Sequence, residues 1–184
     1  MPWPEARRSG VRRLNDRSAY DSRADTLAHI NRVRDHIEVF VASMLARGRV
    51  HDASKLEASE KATFDQIIPL LEGLAYGSPE YEAVVERARP ALEHHYRRNS
   101  HHPEHHGPAG VAAMDLFDVV EMVCDWMAAA ERNPDDGVKL DYNVRLFGIE
   151  PQLASIIGNT LARWPRSASR DAAGEAVAST GPDA

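Results

Sequence analysis

The stretch from His94 to His106 reads His-His-Tyr-Arg-Arg-Asn-Ser-His-His-Pro-Glu-His-His, and it holds six of the chain's nine histidines. Imidazole is the commonest side-chain metal ligand, and it titrates near neutral pH. Taken alone, such a stretch reads equally as a solvated histidine-rich loop or an adventitious metal binder. Three further features carry matching chemistry: His29 on an apolar-periodic stretch, the adjacent pair His51-Asp52, and Asp125 beside Trp126. Nitrogen and oxygen donors drawn from separate segments suit a divalent Mn, Fe, Mg or Zn ion. The single cysteine, Cys124, excludes a multi-cysteine zinc site and an internal disulfide.

Helices are the elements that must position these donors. Leu27, Ile30, Val33, Ile37, Phe40, Val41, Met44 and Leu45 recur at three- and four-residue steps and predict a helix over 26–47, with Gly48 as its stop. His29 and His36, seven residues apart, differ by about 10 Å along its axis, too far to share one ion. A second helix runs to about Ile68, capped by Ser54 or Ser59 and disturbed at Pro69. Ser78-Pro79 starts another, which Pro90 kinks or divides before Arg98. His106-Gly107-Pro108 is a break. A helix over 114–131 carries an acidic stripe, Asp118, Glu121 and Asp125, and two short helices follow, about 138–147 and 151–164. No segment alternates as a strand would. The expectation is an all-α helical bundle of about six helices.

The chain has 184 residues, 43% of them hydrophobic and 27% charged, enough for one globular domain with a real core. Residues 1–23 are rich in arginine and read as a flexible basic arm; residues 166–184 are too poor in apolar residues to order themselves. The folded domain is therefore placed at 24–165. No apolar run is long enough to span a bilayer, no secretory signal is visible, and one cysteine fits a reducing cytoplasm. The net charge of −6 argues against a general nucleic-acid coat, leaving the N-terminal arm as the only route to such a contact.

The order His29, His51-Asp52, histidine cluster, Asp125 resembles the HD-domain superfamily of metal-dependent phosphohydrolases. His29-Ile-Asn-Arg-Val33 resembles its first-helix motif. His51-Asp52-Ala-Ser-Lys55 resembles its HD-x-G-K, with Ser54 in the place of glycine. Asp125 stands where the superfamily places its closing aspartate. The span 26–164 also resembles a small family of uncharacterised phage and bacterial proteins, through HDASKLE, YGSPEY, ALEHHYRRNSHHPEH and DLFDVVEMVCDW.

The resemblance implies one or two divalent ions (Mn, Fe, Mg, Zn or Co) held by His29, His51, Asp52 and Asp125. One ring of each adjacent histidine pair joins them, with His95 and His102 favoured and His105 and His106 left on the surface. Glu121 is then a ligand, a proton acceptor or the partner of a ligating histidine. Asp52, Lys55 and Glu121 are the expected catalytic residues. Lys55, Arg97, Arg98 and Asn99 are the expected contacts to a small phosphorylated ligand, a nucleotide above all. Two rivals stand beside this expectation: an HD-type di-iron oxygenase, and a non-enzymatic metal-stabilised module serving a phage or a host interaction. A cytoplasmic location (the host's, if the protein is phage-encoded) and no membrane contact are expected. Homo-oligomerisation is left open.

Overall fold

The computed structural model describes residues 20–131 and 137–165, all of them helical or irregular and none in a strand. The expected arm lies largely, and the expected C-terminal tail wholly, outside the described residues. The chain divides into two units, 1–45 and 46–184. In the first, the described structure is the leading part of one long helix, α1 (Arg23–Val50), which has no buried residue.

The second unit contains the end of α1, a 3-10 segment (Ala53–Leu56), α2 (Ala58–Leu71), α3 (Pro79–Arg87), α4 (Arg89–Arg98), a second 3-10 segment (Pro103–Ala113), α5 (Leu116–Ala130), α6 (Leu140–Phe147) and α7 (Pro151–Ala162). The chain is therefore all-α, as expected, but with seven α-helices and two 3-10 segments among the described residues rather than about six helices. Pro90 accounts for part of the difference. It sits in the first turn of α4, where its missing N–H costs nothing, so it opens a separate helix and kinks none. Gly48 does not stop α1, which runs two residues further; a lone glycine weakens a helix by about 1 kcal/mol but does not end it.

Local chemistry sets the other boundaries. The Ser78 hydroxyl accepts from the Tyr81 N–H, with Pro79 following, and starts α3. Asp115 and Asp118 form a reciprocal capping box at the start of α5. Glu57, not Ser54 or Ser59, precedes α2, and it makes no side-chain cap. The unit buries two apolar clusters. Phe64, Ile67 and Ala88 join α2 to the α3–α4 junction. Val111, Met122, Val123, Ile149 and Ile157 join α5, α7 and the second 3-10 segment. The polar residues that matter come from the end of α1 and the turn after it, the first 3-10 segment, α2, α4 and the turn after it, and α5.

Candidate metal centre

α1 ends directly before His51, and Asp52 takes a left-handed conformation (φ 55°, ψ 15°), the sole non-glycine positive φ among the described residues. Asp tolerates that region better than most residues. The reversal leaves the two side chains converging: His51 Nε2 lies 3.5 Å from Asp52 Oδ2 and equally 3.5 Å from Asp125 Oδ1 on α5. From the end of α4 and the turn after it, His95 Nε2 comes within 3.1 Å and His101 Nε2 within 3.4 Å of Asp52 Oδ1. His102 Nε2 is 3.0 Å from His95 Nε2. The donors fall into two groups, Asp52, His95, His101 and His102, and His51, His101 and Asp125. Within each group, one donor atom per residue lies within 4.8 Å of all the others.

One detail distinguishes this from an ordinary polar cluster. Asp52 Oδ1 and His101 Nε2 are both buried, and neither has a hydrogen-bond partner. They sit close together without hydrogen-bond geometry. Buried polar atoms left unpaired cost about 1–3 kcal/mol each, so native proteins rarely keep them. A cation between them removes the penalty for both. Three imidazoles and one carboxylate match a borderline divalent ion, such as Zn, Co, Fe or Mn, better than Mg, which prefers oxygen. On these observations the residues present fit a divalent metal.

Two carboxylates behind the rings turn them inward. Glu121 Oε1 accepts from His51 Nδ1 at 2.9 Å and lies 3.2 Å from His101 Nδ1, so both rings present Nε2 to Asp52. Glu121 is itself held by Arg47, whose Nε donates to Oε2 at 2.6 Å while Nη2 donates to Asp118 Oδ1 at 2.6 Å. On the other flank, Glu60 has no exposed surface. It accepts from His94 Nδ1 at 2.7 Å, His95 Nδ1 at 3.0 Å and the Ser54 hydroxyl at 3.0 Å. A carboxylate on the far nitrogen fixes the tautomer of a ligating histidine and raises its basicity.

The charges follow from this wiring. Asp125 and Glu121 stabilise the imidazolium of His51 against the cost of burial and raise it to about 9. Burial would raise Asp52, but His101, His95 and Lys55 outweigh it and hold the carboxylate well below its usual range. Burial, reinforced by His101 and His95, pushes His102 down to about 3, so it is a neutral donor at any physiological pH. Burial would likewise raise Glu60, but His94, Ser54 and His95 keep it low and therefore ionised.

The expected site residues are distributed unevenly. His51, Asp52, His95, His102 and Asp125 come together. His101 joins them, so both rings of the second adjacent pair face the cluster, with centroids 4.2 Å apart and planes tilted by 42°. From the first pair only His95 enters; His94 turns to Glu60. His29 is exposed in the first unit and enters neither group. His105 and His106 bond the backbone carbonyls of Tyr96 and Ser100. Lys55 donates to Asp52 Oδ2 at 2.5 Å, with a third of its side chain open to solvent. Arg97 is exposed, and Arg98 is paired with Glu57 at the surface. Asn99 donates to the Ser54 hydroxyl and the His95 carbonyl, which ties the loop down. A cleft of about 320 Å³ reaches His101 and Glu121 between Arg47, Ser54 and Ser100.

Sequence reasoning gave no site role to Glu60, Arg47, Ser54, Ser100 or Asp118, although it placed Asp118 on the acidic stripe with Glu121 and Asp125. Ser54 also carried a signal, as the departure from glycine after His51-Asp52. The structure gives it a use: its hydroxyl joins Glu60, His95 and Asn99.

Residues 18–163 match a family of unknown function (DUF5662), and the chain belongs to that family. No curated protein and no solved structure matches the chain.

Proposed function

We propose that the chain is a divalent-metal-dependent phosphohydrolase of the HD type, acting on a nucleotide or a similar small phosphate ester. The observation that carries the reading is the unpartnered buried pair Asp52 Oδ1 and His101 Nε2 at the centre of six converging donors. His51, Asp52, His95, His101, His102 and Asp125 would hold the metal. When bound, the metal supplies Lewis acidity, which acidifies water and polarises a phosphoryl oxygen.

The chain's own residues do the rest. Glu121 and Glu60 hold the imidazole Nδ1 protons away from the centre, so that only Nε2 lone pairs face inward. Lys55, a third of its side chain in solvent beside Asp52, is the cation placed to meet a phosphate oxygen. Glu121 acts through His51 and His101 and touches no substrate. Arg98, paired with Glu57, and Asn99, tied to the loop, line the cleft beside His101, and Lys55, paired with Asp52, would exchange that partner for a substrate anion. The cleft beside His101 is at the small end of ligand-site volumes, which favours a small molecule over a polymer.

The test is elemental analysis of the purified protein, followed by phosphate release from a panel of nucleotides with Mn, Co or Zn added. We expect bound metal in the wild-type protein, none in Asp52→Asn, and metal-dependent phosphate release at least 100-fold slower in a folded Lys55→Ala variant. A protein that binds no divalent ion sinks the reading. Iron with oxygen-sensitive absorption and no phosphate release replaces it with an HD-type oxygenase. Metal without any turnover replaces it with a metal-stabilised binding module.

A further inference from the structure

α1 presents an apolar face that its own unit cannot cover. Leu27, Ile30, Val33, Ile37, Val41 and Leu45 are 43–58% exposed, and no residue of the helix is buried. At 100° per residue they occupy a sector about 120° wide and about 27 Å long. A stripe of that width normally faces a core, yet the first unit offers no other described element.

We propose that this face is the seat of a second copy of the same chain, paired antiparallel about a two-fold axis at Ile37. The face is self-complementary about that residue. Val33 and Val41 lie four positions on either side of it, and Ile30 and Met44 lie seven on either side. A two-fold interface requires one patch to match itself, and this one sets Ile30 of each copy against Met44 of the other. Arg34, inside that sector toward one edge, and Glu38, just beyond it, form an ion pair within one helix at 3.5 Å. They stand three positions before and one position after the axis. Each Glu38 therefore falls within about 3 Å, along the axis, of Arg34 in the second copy, where opposite charges support the same register. Half-exposed side chains of this number amount to roughly 600 Å² per copy and about 1,200 Å² per pair, which reaches the lower bound for specific interfaces.

The test is sedimentation equilibrium of the full chain up to roughly 100 µM, where mass action favours association. A mass of twice one chain is expected. Ile37→Glu is expected to give monomer, and Arg32→Glu, on the opposite face, to leave the dimer intact. In a Cys124→Ser background, Ile37→Cys should oxidise to a disulfide-linked dimer while Asp35→Cys should not; this arm decides the matter if Ile37→Glu fails to fold. A wild-type monomer over the whole range overturns the proposal. A dimer indifferent to Ile37→Glu, with no cross-link at position 37, overturns it equally.

Discussion

Replacing Glu60 by alanine isolates the hidden half of the metal centre. The side chain has no exposed surface and is none of the expected ligands, yet it bonds one of them, His95. Its removal leaves three donors without their acceptor: His94 Nδ1, His95 Nδ1 and the Ser54 hydroxyl. His94 is partly exposed and can turn to water. His95, 1% exposed, and Ser54, 5% exposed, cannot. Ser54 Oγ, 3.0 Å from His95 Nδ1, can accept that proton in place of Glu60, so one stranded buried donor remains, the Ser54 hydroxyl, and a loss of about 1–3 kcal/mol is predicted. The sign is set by the partners left behind, because an ion pair replaced as a whole by apolar groups is often neutral. Glu60→Gln keeps one acceptor oxygen but aims an amide N–H₂ at a donor, so about half of that loss is expected. Metal affinity should also fall by about 10–100-fold in Glu60→Ala, since the carboxylate on the Nδ1 of a ligating histidine is gone. Urea unfolding in the presence of a chelator reads the first effect, and calorimetric titration with cobalt reads the second. An alanine variant within about 0.5 kcal/mol of wild type, with unchanged cobalt affinity, refutes the reasoning.

The metal-free protein should grow less stable as pH rises from about 6.5 to 9.5. His51 is raised from 6.5 to about 9, so the stabilisation of its charged form is complete below its unfolded value and is lost through its folded one. The full shift corresponds to about 3 kcal/mol; partial exposure of the ring reduces the expected loss to about 1–2 kcal/mol. Metal binding needs the neutral ring, so the loaded protein should show no such decline, and urea melts with and without chelator separate the two. Constant or rising stability in chelator speaks against the His51 contacts. A second test concerns the turn before α3. Gly77 has φ +77°, and a Cβ there would lie 2.6 Å from the Tyr142 ring. Gly77→Ala should therefore cost about 1–3 kcal/mol, read as a lower melting temperature; an unchanged temperature means the ring moves freely.

The helices were legible because their signals are local. Apolar spacing places α1, Ser78-Pro79 places α3, and Gly148 with Pro151 separates α6 from α7. Where reading failed, short-range rules competed. Gly48 carries a stop signal, but the helix tolerates it and ends at Val50, two residues before the left-handed Asp52. Pro90 is readable as a kink or a start, and only the turn at Ala88 (φ −94°, ψ 2°) decides for a start.

The candidate site divides along a different line. His51, Asp52 and Asp125 could be named because ligand chemistry restricts residue type, and a dense histidine cluster stands out against a background of nine in 184. Glu121 could be named from its place one turn before Asp125, with the orientation of a histidine among its three readings, but Glu60 could not, because an acid that orients a ring has the same composition and spacing as an acid on a solvated helix face. Glu60 lies one turn from Glu57 on the same stretch of chain, yet one is sealed beneath two histidines and the other is paired with Arg98 in solvent. What separates them is the approach of α4, which is fixed by Phe64, Ile67 and Ala88 packing together. The outer half of the site is thus a consequence of the apolar core. A mutation at Ala88, which touches no ligand, should disturb Glu60 and His95 as surely as a change beside them.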